Sequence, residues 1–321
     1  MYKEFFGLKE SPFNVNPDPR YLYLTRQTQE AFACLTYGVQ AKKGFILLTG
    51  EVGTGKTTLL NRLLDWLPTQ RAHTAFIFNP RLSVTQLLDF MMTDFGIPCE
   101  SKLKSQVLLR LNQWLLERYK AGEPAVLIID EAQNLSHQVL EEIRLLTNLE
   151  TSTEKLLQIV LAGQPELEVK LAQPQLRQLR QRITLRSKTL PLSLEETAGY
   201  IQERLRIAGA TDNEIFSPEA IQAVHKLARG IPRVTNLLCE HSLINSFVEQ
   251  HKSVQRQTVE DVAKEFQLEE LAPSAAAQAA GLKHNGESAP LVQSLLQNLS
   301  NLIDRLGHQD PEIEPPIERK S

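Results

Sequence analysis

The stretch "GFILLTGEVGTGKTTL" (44–59) decides the fold. A short apolar run of buried-strand type, 44–50, leads straight into "GEVGTGKT" (50–57), which satisfies the pattern of a phosphate-cradling P-loop, and a helical pattern follows. The strand–loop–helix context is what gives the pattern weight, because a loop at a helix start turns main-chain N–H groups toward an anion. Gly50, Glu51, Val52, Gly53, Thr54 and Gly55, continued into Lys56, Thr57 and Thr58, are expected to wrap the phosphates. Lys56 is expected to reach the β- and γ-phosphates of ATP, and the Thr57 hydroxyl to ligate Mg²⁺.

Working outward, four more apolar runs lie at 74–79, 125–130, 156–163 and 183–190, with helical patterns at 84–95, 103–120 and 136–149 between them. Strands alternating with helices predict an α/β fold with a parallel sheet covered on both faces. A further helix is predicted from a Thr25 cap to about Lys43. After Pro191 only helical patterns remain, at 194–208, 217–229, 231–250 and 257–267, the first opened by a Ser193/Glu196 capping box. The expected domains are an α/β nucleotide-binding domain, 1–189, an all-helical lid, 190–268, and a linker, helix and acidic tail, 269–321. Within that tail, Leu291, Leu295, Leu299, Leu302 and Leu306 form one apolar stripe, suited to docking a partner or to packing back on the lid.

"AVLIIDEAQ" (125–133) ends an apolar strand in two carboxylates. Adjacent acids repel, so a nearby cation is the natural reason to put them at a buried strand tip. Asp130 is expected to hold Mg²⁺ with Thr57, and Glu131 to polarise an attacking water. P-loop kinases and GTPases usually lack the second acid, so the pair favours hydrolysis over transfer to a small molecule. Gln164, at the tip of the 156–163 run, is suited to orienting that water or the γ-phosphate, or else to satisfying loop backbone groups. The segment 170–188 carries six basic residues (Lys170, Arg177, Arg180, Arg182, Arg186, Lys188) and no acid. It reads as a solvated face, as a contact to nucleic-acid phosphates, or as an arginine finger delivered to a neighbouring subunit, with Arg182 the best placed and Arg180 next. "ARGIPRVTNLLCEH" (228–241) opens a helix with Gly230, Pro232 and Arg233. An arginine there is a solvated residue or the partner of an anion near the helix start.

With 321 residues, a net charge of −3 and ordinary composition, the chain suits a soluble globular protein and not a globally basic nucleic-acid coat. Three cysteines without metal spacing read as buried apolar residues in a reducing compartment. No basic leader and no apolar stretch near ~18 residues is visible, so a cytoplasmic location, peripheral to a membrane only through a partner, is expected.

Taken together, P-loop, Asp-Glu strand end, polar strand tip, arginine before the fifth strand and "GIPR" helix start resemble the AAA+ ATPases. "FFGLKESPFNVNPDPRYLYLT", "IIDEAQNLS" and "LAGQPEL" further resemble the ExeA-type, or general secretion pathway protein A, family, which is related to TniB- and TnsC-type transposition ATPases. The likeness covers about residues 1–268. It implies ATP hydrolysis, homo-oligomerisation in a ring or filament, and a sensor role for Arg233, which would contact the γ-phosphate in its own subunit. Members of the family continue into a membrane span and a peptidoglycan-binding domain. This sequence carries neither pattern, so an envelope role in secretion, pilus or polysaccharide export is expected to run through a protein partner. The alternative implied is a DNA-associated transposition regulator, which overall acidity disfavours and the 170–188 segment keeps open.

Overall fold

The apolar runs form a five-stranded parallel sheet in the order β2-β3-β4-β1-β5 in the computed structural model of the protein. The structure describes residues 1–268 except 15, 17, 79, 80, 102, 212 and 213. The 290–306 stripe and the rest of the tail lie outside the described residues. The strands are β1 (Phe45–Gly50), β2 (His73–Ile77), β3 (Ala125–Ile129), β4 (Leu157–Gly163) and β5 (Leu185–Thr189). The helices before the end of the sheet are α1 (Tyr2–Phe5), α2 (Arg26–Gln40), α3 (Lys56–Trp66), α4 (Val84–Asp94), α5 (Lys104–Lys120), α6 (His137–Leu146), α7 (Pro165–Leu171) and α8 (Arg177–Arg182). Those after it are α9 (Leu194–Ile207), α10 (Pro218–Ala228), α11 (Pro232–Val248) and α12 (Arg256–Glu265).

β1, β3 and β4 are buried along their whole length, and their alternate residues serve two separate cores. Phe45, Leu47, Leu127, Ile129, Ile159 and Leu161 join one face, against α4, α5 and α6. Ile46, Leu48, Val126, Ile128 and Val160 join the other, against α2 and α3. That period-2 division is why these strands read as continuous apolar runs: both faces are covered. The fifth run differs. Read as apolar, it forms an edge strand whose Arg186 and Lys188 are exposed.

A third core belongs to α9–α12. The Ser193/Glu196 capping box is present at α9, and Ser217 caps α10 with Pro218 at its first position. Phe6, Leu8 and Phe13, from the other end of the chain, are buried in this same core. Arg204, buried on α9, fastens them. Its Nε donates to the Pro12 carbonyl at 2.5 Å, its Nη1 to the Tyr200 hydroxyl at 2.7 Å, and its guanidinium stacks over the Tyr21 ring at 4.4 Å. Of the three cysteines only Cys239 is buried; Cys34 and Cys99 are partly exposed, contrary to the expectation that all three are core residues. No helix among the described residues is long and apolar enough to cross a membrane.

Candidate nucleotide site

The parallel register brings the carboxyl ends of β1, β3 and β4 side by side, and the chain leaves each of them through a residue singled out above. From β1 it enters the Gly50–Thr57 loop. Gly53 and Gly55 take φ of 79° and 95°, a left-handed backbone open to glycine at little cost. Gly50 is required for a different reason. A Cβ there would lie 2.0 Å from the Thr189 Oγ1 at the end of β5. The Thr54 and Thr189 hydroxyls share a hydrogen bond of 2.7 Å, so the loop is tied to the neighbouring strand.

Lys56 is buried at the first position of α3 and donates to the Gly50 and Glu51 carbonyls at 2.8 and 2.9 Å. Burial pulls its pKa below the usual lysine value, against the attraction of Glu131 and Asp130. The Thr57 hydroxyl donates to Asp130 Oδ2 at 2.8 Å. Burial pushes the Asp130 carboxyl above its usual range, despite the bonds it accepts from Thr57 and the Glu131 N–H. An acid and a lysine that are both penalised for being charged suit a pocket meant for charged guests. Mg²⁺ beside Asp130 and Thr57, and phosphates beside Lys56, would relieve both penalties. The residues present therefore fit ATP and Mg²⁺.

Glu131 takes a φ of 52° and opens a short 3-10 turn, Ala132–Asn134. Its Oε2 accepts from the Gln133 Nε2 at 2.5 Å and from the Gln164 Nε2 at 3.2 Å. The Gln164 N–H in turn donates to Gln133 Oε1 at 3.1 Å. Gln164 thus reaches the neighbouring acid itself, through a side-chain bond that neither sequence reading of it contained. Gln133 was missed altogether, although "DEAQ" shows an amide two residues after the acid.

Helix α11 meets the loop through its main chain. The Arg233 N–H donates to the Gly53 carbonyl at 3.2 Å, and a Cβ on Gly53 would lie 2.8 Å from the Arg233 Cβ. Lys56, Thr57, Asp130, Glu131 and Gln164 therefore come together, while Arg233 joins the loop through its main chain with its side chain exposed. Arg182 does not join them: it ends α8, ahead of the amino end of β5, whereas the loop lies at the strands' carboxyl ends. Arg177 and Arg180 are exposed on the same helix. The 170–188 segment is not one basic face. Lys188 pairs with Glu168 at 3.0 Å, and Lys170 donates to the main-chain carbonyls of Gln133 and Leu135.

Residues 39–171 match the AAA domain family. The general secretion pathway protein A of Aeromonas hydrophila is 48% identical over 256 residues, which span 79% of this chain and 46% of that protein. This chain thus spans about half the length of that curated relative. Among solved structures, the ORC2 protein of Aeropyrum pernix (ADPNP-ADP complexes) gives a TM-score of 0.60 at 16% identity, covering 80% of this chain and 72% of its own. The ORC1 protein of the same organism in complex with DNA gives 0.57 at 16% identity, covering 91% and 87%. Strand order, loop geometry and these likenesses converge: residues 39–171 match an AAA domain, the sheet and its helices share the fold of those solved structures, and the chain is similar to general secretion pathway protein A.

Proposed function

We propose that the protein binds ATP with Mg²⁺ and hydrolyses it as an oligomerising switch that supports assembly of a bacterial envelope apparatus. The observation that carries the ATPase reading is the meeting of Lys56, the Thr57–Asp130 pair and the Glu131–Gln164 pair at three adjacent strand ends. The loop N–H groups and Lys56 bind the phosphates, and Thr57 and Asp130 hold the metal. Bound Mg²⁺ supplies positive charge to the phosphate oxygens. Glu131 takes a proton from water, and Gln164 keeps its carboxylate aimed. Arg233 brings its side chain to the phosphates on a helix already bonded to Gly53, so nucleotide state is passed to the 190–268 lid. Arg182, remote from its own loop, acts on a neighbouring subunit's nucleotide in a ring or filament. The protein works on the cytoplasmic side of the membrane through a protein partner, as its likeness to a secretion pathway protein supports.

Exchange of Glu131 for Gln is expected to keep ATP binding and slow phosphate release by about 10²-fold or more, the range for losing a general base. Wild-type turnover from that variant overturns the assignment. The transposition-type reading has Arg177, Arg180 and Arg186 exposed in its favour. Duplex binding that weakens steeply across a salt series, with ATP present, would favour it.

A further inference from the structure

Lys170 stands outside every role assigned above. On α7 it follows Glu166 by one helical turn, the spacing at which a glutamate and a lysine pair on a helix surface. It turns elsewhere. Its Nζ donates to the main-chain carbonyls of Gln133 and of Leu135, the latter at 2.9 Å, across to a different segment of the chain. Burial lowers its pKa from the usual lysine value. A solvated cation or a phosphate contact gains nothing from surrendering water to two carbonyls. A brace does, because one ammonium with three donors can fix both ends of a short turn at once.

The turn it grips is the one that carries Glu131. That residue enters the turn with a left-handed φ of 52°, a conformation that strains a non-glycine residue. The surroundings must therefore hold it there. The Gln133 side chain bonds the Glu131 carboxylate at 2.5 Å, while the Gln133 main chain is bonded by Lys170. The Gln133 and Gln164 amides both donate to the same oxygen, Oε2, of that carboxylate.

We propose that Lys170 is a positioning residue for Glu131, fixing through the Gln133 and Leu135 carbonyls the turn from which the Gln133 amide aims the acid. The proposal rests on the reading of Glu131 as the water-activating group, and its test has one arm that needs no nucleotide. Lys170→Met keeps the aliphatic stem and removes the donors. In the nucleotide-free protein, amide exchange over residues 131–136 is expected to speed up by about 10-fold, with the 46–60 segment unchanged. In ATP turnover, kcat is expected to fall by about 10-fold, the scale for removing a charged donor, with KM within about 2-fold of wild type. Lys170→Arg should restore most of both. Gln133→Ala leaves the gripped carbonyls in place, and should lower kcat alike without altering exchange; it carries the test should Lys170→Met fail to fold. In a Glu131→Gln background, Lys170→Met should lower kcat no further.

Unchanged exchange at 131–136, an unchanged kcat, an equal extra loss in the Glu131→Gln background, or a raised KM at constant kcat each overturns the proposal. Should the wild-type protein prove unable to turn over ATP while exchange still answers to Lys170, the ATPase reading falls and the brace stands.

Discussion

The two halves of the candidate site are built by opposite means. On the β1 side, the Gly50–Thr57 loop is a main-chain object. Its shape comes from Gly53 and Gly55 in left-handed conformations, from Gly50 pressed against β5, and from a main-chain bond to α11. On the β3–β4 side, Asp130, Glu131, Gln133, Gln164 and Lys170 make a side-chain network drawn from separate segments. The first half should tolerate little added volume. The second should tolerate volume but not the loss of an amide or ammonium.

The largest effect tests the main-chain half. Gly50→Ala places a Cβ 2.0 Å from Thr189 Oγ1 and 2.6 Å from the Thr189 carbonyl oxygen, and the backbone atom cannot rotate away. Thermal unfolding should report a loss at the upper end of the ~1–3 kcal/mol typical of overpacking, and calorimetry should find ATP binding gone. A variant as stable as wild type would break the comparison at its root.

A middle-sized effect tests the network. Gln164→Leu keeps the volume and removes the donor to Glu131. Turnover is expected to drop about 10-fold, the order for a lost bond to a charged group, while stability moves by less than about 1 kcal/mol. Should ATP affinity fall with it, the two halves are less separate than drawn.

The smallest effect sharpens the electrostatic contrast. Burial raises the Asp130 pKa, so its ionised form costs stability in the nucleotide-free protein. The sign follows: a carboxyl with a raised folded-state pKa contributes most below its unfolded value, and that contribution is lost as pH rises through the folded one. Asp130→Asn should therefore raise the nucleotide-free Tm, by about 2–4 °C for a gain near 1 kcal/mol, with the gain growing as pH rises. A lower Tm at neutral pH would show that the bonds from Thr57 and the Glu131 N–H outweigh burial.

The same division explains what could be read from the chain. The placement of Lys56, Thr57, Asp130 and Glu131 at the loop and strand ends was legible because strand, loop and helix fix main-chain geometry over a few residues, and local pattern reports it. So were the strands β1, β3 and β4, whose two covered faces leave continuous apolar runs. Gln133 and Lys170 were not. Their meeting depends on α7 folding back beneath the Glu131 turn across 35–37 residues of sequence, which no local spacing encodes. The fifth strand reads as one more apolar run, but its Arg186 and Lys188 belong to an exposed sheet edge. Nor did composition reveal that Phe6, Leu8 and Phe13 would share a core with Val259, Val262 and Ala263.

That shared core has a consequence in time. The Tyr2 hydroxyl donates to Glu240 at 2.5 Å across 238 residues of chain, and Arg204 waits for the Pro12 carbonyl in the same way. During synthesis at ~5–20 residues per second, Tyr2 stays without Glu240 for on the order of 10–50 s. Both faces of the sheet can close in that interval. The sheet can therefore be complete before the 1–13 segment and α9–α12, made far apart in time, find each other. Folding of the helical region is thus expected to include a ring closure, whose speed depends on that search as well as on how fast its helices form.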